Sequence, residues 1–146
     1  MEALQGFTHF ANDNDIYYDN FLVNVDCRQI SGDTSGEFGL VLKRNGDDKY
    51  YFLINSNTAT YSFYLYANGE WETLASGEYL ELYPDAFNTI SIKVENHVFL
   101  IFVNGDFVAK ETNDYIEKGE IAITASLHGE GERGVFEFNH LIIRTP

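Results

Sequence analysis

The sequence predicts an all-β protein, a sandwich of two antiparallel sheets. Three observations predict it. Apolar and polar residues alternate in short runs, and no window shows a helical period. Strand formers abound, with 12 Phe and 10 Tyr beside many Val, Ile and Thr. Asn-Gly occurs three times, at Asn45-Gly46, Asn68-Gly69 and Asn104-Gly105. Both residues tolerate the positive φ that a type I′ hairpin turn needs at its two central positions.

Strands are predicted over 21–30, 37–44, 49–55, 60–67, 70–75, 88–95, 97–103, 107–111, 119–127 and 134–144, with a short further piece near 79–83. In FLVNVDCRQ, Phe21, Val23, Val25 and Cys27 share one phase, so the thiol points inward and is inert rather than reactive. Tyr50 and Tyr51 are adjacent, so one of them points outward from a regular strand. FYLYANGEWETL and LIFVNGDFVAK are hairpins with clear strands on either side of Asn-Gly. NTISIKVE puts Ile90, Ile92 and Val94 on one face and Thr89, Ser91 and Lys93 on the other, the pattern of a sheet with one dry and one wet face. A tight turn at Glu95-Asn96-His97 leads into VFLIFV, which is apolar on both faces and so sits centrally or beneath a loop. GVFEFNHLIIR alternates again. No linker or shift in composition divides the chain, so 1–146 is expected to be a single sandwich domain.

The surface is acidic: 23 Asp and Glu stand against 9 Lys and Arg, a formal net charge of −14. Such a surface repels phosphate, which argues against nucleic acid and against an anionic membrane face as partners. It leaves neutral ligands, cations and basic proteins, or simply a well-solvated exterior. No segment reaches the ~18 uninterrupted apolar residues of a membrane helix, and MEALQGFTHF lacks a basic n-region followed by an apolar run, so no signal peptide is read there. The single Cys27 excludes an internal disulfide and leaves the compartment open.

GEFGLVLKRNGDDKYYFLI, YSFYLYANGEWETL, NTISIKVENHVFLIFVNGDFVAKETND, KGEIAITA and VFEFNHLIIR follow in that order from about residue 20 to the end. In this order the chain resembles the bacterial laminin-G-like and 3-keto-disaccharide-hydrolase-like domains of the concanavalin A-like lectin/glucanase superfamily. The most specific piece is the VNG hairpin followed by Asp114 and then Lys118-Gly119-Glu120-Ile121. Where the family's closing strand commonly has Asp-Asn, this chain has Phe138-Asn139. The resemblance implies a jelly-roll sandwich. It also implies an extracytoplasmic domain of a larger protein that binds glycans, calcium or proteins, or serves as a spacer.

Catalytic motifs are sought and not found. The superfamily's glucanases carry Glu-x-Asp-x-Glu, which aligns three carboxylates on one strand face. Here Glu78 and Glu81 have the wrong spacing, Leu74 stands where Glu70 and Glu72 need a third carboxylate, and Glu130 and Glu132 fall in the glycine-rich HGEGERG. Gly-x-Ser-x-Gly is absent, and His9, His97, His128 and His140 show no zinc spacing. A keto-disaccharide-type hydrolase stays as a lesser alternative whose catalytic residues do not map onto this chain. No cofactor is fixed by the sequence. Calcium is the one ion that NDNDIYYDN admits, through Asp13, Asp15 and Asp19, although the run lacks an EF-hand pattern and reads more simply as a solvated turn.

Chemistry concentrates in YSFYLYANGEWETL. With Asn68-Gly69 at the turn, Ala67 pairs Glu70, Tyr66 pairs Trp71, Leu65 pairs Glu72, Tyr64 pairs Thr73 and Phe63 pairs Leu74. Ser62, Tyr64, Tyr66, Trp71 and Thr73 then share a face of aromatic rings edged with polar groups, suited to stacking on a pyranose. The opposing reading makes the lone Trp a core plug. The function expected is a non-catalytic binding module for a glycan or glycan-like ligand, with Tyr64, Tyr66, Trp71 and Thr73 as ligand-binding residues. The alternative is a protein-interaction or spacer domain.

Overall fold

The computed structural model describes residues 2–4, 6–11, 16–79, 81–127 and 133–146. Twelve strands and no helix lie among the described residues: β1 (Glu2–Leu4), β2 (Gly6–Ala11), β3 (Phe21–Gly32), β4 (Glu37–Asn45), β5 (Asp48–Asn55), β6 (Thr60–Ala67), β7 (Glu70–Glu78), β8 (Asn88–Glu95), β9 (Val98–Val103), β10 (Asp106–Thr112), β11 (Glu120–Leu127) and β12 (Arg133–Arg144). They form two six-stranded sheets, in the orders β1-β12-β3-β8-β9-β10 and β2-β11-β4-β5-β6-β7. Every pairing is antiparallel. Each of the ten main expected strands is present, and β1 and β2 are additional.

The hairpin turns follow the φ argument. Asn68 and Gly69 have φ of 53° and 75°, Asn104 and Gly105 of 51° and 84°, and Asn96 and His97 of 50° and 65°. The first Asn-Gly differs: Asn45 pairs with Asp48, so Gly46 and Asp47 form that turn. Residues 79 and 81–83, the described part of the piece expected near 79–83, lie in no strand; the Tyr79 amide donates to the Ala59 carbonyl at 2.7 Å, and side chains hold the backbone at 81 and 83. Asn88 accepts from the Tyr83 amide at 2.8 Å and donates to the Tyr83 carbonyl at 2.9 Å, while Asn104 donates to the Glu81 carbonyl at 3.0 Å. β9 pairs with β8 and with the edge strand β10, so VFLIFV is second from the edge; Phe102 packs edge-on to Phe107 at 5.8 Å outside it.

The core lies between the sheets. Val23, Val25, Ile90, Ile92, Phe99 and Ile101 come from one sheet, and Leu40, Tyr50, Phe52, Phe63 and Leu65 from the other. Cys27 is buried, and burial pushes its thiol pKa up, so it is an inert packing group. Tyr50 sits 4.8 Å from Phe99 and 5.9 Å from Phe63, ring to ring. Its hydroxyl donates to Asn113 Oδ1 and accepts from the Ile116 amide at 3.4 Å, tying the 113–116 loop to the core. Burial is the main cause pushing its pKa up to about 12.

β4 carries a bulge between Leu42 and Asn45. Lys43 has φ 52° and follows Leu42 inward, leaving its side chain 1% exposed. Its ammonium donates to the Glu117 carbonyl at 3.0 Å and the Ile116 carbonyl at 3.5 Å, and stands 5.6 Å from the Phe99 ring. Gly119 crosses the bulge so closely that a Cβ there would lie 2.2 Å from the Lys43 carbonyl carbon.

Replacing Asn104 and Gly105 together by alanine is expected to destabilise the fold by about 1–3 kcal/mol, since alanine is strained at positive φ. An unshifted denaturant midpoint contradicts the turn. For Tyr50, the folded pKa is raised above the unfolded value of 10.0 to about 12. Its contribution is therefore complete below pH 10.0 and is lost as pH rises from there through about 12. Wild type should lose about 3 kcal/mol from this group over that interval, and Tyr50→Phe should lack that component of the alkaline slope. Equal slopes in denaturant titrations of the two proteins refute the assignment.

Candidate ligand-binding face

The site is built by strand register on the outer face of the second sheet. Cross-strand partners make three rows. Lys49, Tyr66 and Trp71 form the first; Ala122, Val41, Tyr51, Tyr64 and Thr73 the second; Gly39, Leu53, Ser62 and Ser76 the third. The four pairings expected from Ala67–Glu70 to Tyr64–Thr73 are present. The fifth is corrected: Phe63 pairs with Ala75, not Leu74, because β7 bulges there. The bulge lets Leu74 and Ala75 both pack against the core after exposed Glu72. Glu72 pairs with inward-facing Leu65 and lies at the sheet edge, where a charge guards an open strand against pairing.

Trp71 is not a core plug. It is 50% exposed on the edge strand and rests against three tyrosines. Its ring centroid lies 4.8 Å from Tyr66, 5.2 Å from Tyr51 and 5.7 Å from Tyr64, with interplanar angles of 55°, 31° and 84°. The four rings are thus not one flat sheet; the indole is the principal stacking plane, and phenols are set around it. Beneath it Val41, Tyr51, Leu53 and Ala122 form a buried cluster on the face turned away from the main core, with Tyr64 and Tyr66 packed against it. Burial pushes the Tyr51 hydroxyl pKa up, with Tyr66 adding to the rise and Arg44 opposing it, so the phenol stays protonated at neutral pH.

All four residues expected at the site, Tyr64, Tyr66, Trp71 and Thr73, therefore share one face. Sequence reasoning left Tyr51 ambiguous and did not include Lys49, whose Nζ stands 5.4 Å from the Tyr66 centroid. Period-two alternation from inward Tyr50 is the signal that places both outward. Glu70 and Glu72 alternate with Trp71 and Thr73 along β7 and pair with Ala67 and Leu65; with Trp71, Leu65, Asn68 and Tyr115 they line a shallow cleft of about 210 Å³ at this edge. A larger cleft of about 340 Å³ lies on the other sheet, between Leu22, Lys93, Glu95 and Arg144, and presents no exposed aromatic ring.

The remaining candidates separate. Asp13 and Asp15 lie outside the described residues, as do His128, Glu130 and Glu132. Asp19 is exposed and accepts from the Asn20 amide at 2.6 Å. No group of three His, Cys, Asp or Glu placed to hold a metal occurs among the described residues. His97 occupies a turn, and exposed His140 donates through Nδ1 to Asp26 at 2.9 Å. No helix among the described residues is long and apolar enough to cross a membrane.

No family model matches the sequence, and no curated protein matches it either. Solved structures match the fold. A carbohydrate-binding module, CBM66, from Bacillus subtilis aligns at 12% identity and a TM-score of 0.81, covering 99% of this chain and 86% of that one. Sheep galectin-11, in complex with glycerol, aligns at 9% identity and 0.61, covering 94% and 98%. Bacillus licheniformis β-glucanase aligns at 12% identity and 0.65, covering 85% and 66%. At these identities the likeness speaks for the architecture: the chain is a concanavalin A-like jelly-roll sandwich of two antiparallel sheets.

Proposed function

We propose that this chain is a non-catalytic glycan-binding module, folded as a single domain, whose ligand stacks on Trp71 and is held at its rim by Tyr64, Tyr66 and Thr73. The observation that carries the reading is the half-exposed indole fixed over three tyrosines. An exposed tryptophan on a dry, packed base offers stacking area at little conformational cost. Hydroxyls of Thr73, Ser62 and Ser76 continue along the same face. The fold it shares with a carbohydrate-binding module and a galectin supports the reading. The order of its strand motifs supports the finer kinship with laminin-G-like and 3-keto-disaccharide-hydrolase-like domains. The carboxylates nearest Trp71 in sequence, Glu70 and Glu72, pair with Ala67 and Leu65 and not with the tyrosines of the face, which supports binding over hydrolysis.

The rival, a protein-docking or spacer domain, draws on exposed Ile30, Phe107 and Ile142. These are interrupted by polar cross-strand contacts, Thr89 to Asp26 at 2.7 Å and Ser91 to Asn24 at 2.5 Å, and make no continuous apolar patch.

Titration of soluble neutral oligosaccharides against the intrinsic fluorescence of Trp71, the lone tryptophan, tests the proposal. A binding sugar should change the signal, and Trp71→Ala should weaken affinity about tenfold or more. The same variant should lose only about 1–2 kcal/mol of stability, against the ~3–5 of an emptied core site. A silent titration with a strongly destabilised variant defeats the platform.

A further inference from the structure

We infer that the sugar taken by this face is acidic, a uronate whose carboxylate meets Lys49 while Trp71 stacks the pyranose. The inference rests on the glycan-binding reading above and names its ligand class.

Three placements carry it. Lys49, Tyr66 and Trp71 are consecutive cross-strand partners, so the ammonium and the indole stand on one row with a single tyrosine between them. The ammonium is 5.4 Å from the Tyr66 centroid, which is 4.8 Å from that of Trp71. A carboxylate on the stacked ring, or on the ring beside it, falls within this span. Lys49 has no ion pair among the described residues, although the chain carries 23 carboxylates for its 9 Lys and Arg. A second cation, Arg44, acts on the Tyr51 hydroxyl of the same cluster; its own contact with Glu120 is a long 3.5 Å.

The carboxylate of Glu120, at the β11 end of this face, is paired with Arg44 rather than Lys49. Glu70 and Glu72 pair with Ala67 and Leu65, out of phase with Tyr66 and Tyr64, although the cleft they line also reaches Trp71. Glu78 belongs to the row of Asn55 and Thr60, three rows and about 20 Å along the strands. A cationic amino sugar would meet Lys49 and be repelled, and a neutral sugar leaves the ammonium unused. The net charge of −14 opposes any anion at long range. Salt at physiological strength screens that field beyond ~8 Å, whereas an ammonium–carboxylate hydrogen bond acts at contact.

The test uses trimers of galacturonate and of glucuronate, with the methyl esters of both as neutral counterparts, titrated at physiological salt by fluorescence and calorimetry. At least one acid should bind about tenfold or more tighter than its ester. Lys49→Gln should bring that ratio to within about twofold and Lys49→Arg should retain it. Lys93→Gln, the same charge change on the other sheet, should leave it intact. Thermal midpoints confirm that the variants are folded. Esters binding as tightly as the acids, or an equal effect of Lys93→Gln, overturn the acidic ligand while the glycan-binding reading stands. If neither acids nor esters bind but neutral oligosaccharides do, the result is the same. No response to any sugar overturns both.

Discussion

The register of β5, β6 and β7 is the constraint on which the rest depends. Side chains alternate across a sheet, so a slip of one residue exchanges its faces completely. In the observed register Tyr50, Phe52, Phe63 and Leu65 enter the core while Lys49, Tyr51, Tyr64 and Tyr66 stand outside. The Asn68-Gly69 turn, with φ of 53° and 75°, holds β7 so that Trp71 meets Tyr66 directly. The turn after β5 sets which residues of β5 and β6 enter the core, and the two-residue Asn68-Gly69 loop sets how β7 meets them, so core and aromatic face share one register.

Most of the fold was legible because period-two alternation and turn chemistry are local signals. NTISIKVE and FLVNVDCRQ show their buried faces in the sequence, and the structure buries Ile90, Ile92, Val94, Val23 and Val25. What local reading misses are the bulges. Nothing in LVLKRNG announces that Lys43 turns inward; that follows from an extra residue in β4, which a carbonyl pair from the 116–117 loop then stabilises. The bulge at Leu74 is likewise silent: a regular strand would put Leu74 and Ala75 on opposite faces, whereas the extra residue lets both pack against the core. The segment near 79–83 failed for the opposite reason. Its residues suit a strand, but the side chains of Asn88 and Asn104, remote in sequence, hold its backbone in another shape.

The face itself was legible to the same degree. Alternation assigns Tyr64, Tyr66, Trp71 and Thr73 to one side, but it does not say which side is wet. That depends on which strand is an edge, and strand order is a global property: β7 borders the sheet, so its tryptophan is half-exposed, whereas Tyr51, two strands inward, is 2% exposed. The gradient from a buried tyrosine to an open indole is a consequence of position in the sheet rather than of residue type.

That gradient has energetic meaning for binding. A stacking residue standing alone must lose rotamer freedom when a ligand arrives, and that loss is subtracted from affinity. Trp71 is already confined by Tyr51, Tyr64 and Tyr66, which in turn rest on Val41, Leu53 and Ala122. On the proposed reading, the ordering is supplied by folding, and a ligand would meet a surface already in its bound form. A second, smaller core outside the sandwich is otherwise an inefficient use of apolar residues, since Val41, Leu53 and Ala122 add nothing to the packing between the sheets. As a base that keeps one exposed ring in place, the cluster has a physical purpose that the main core does not serve.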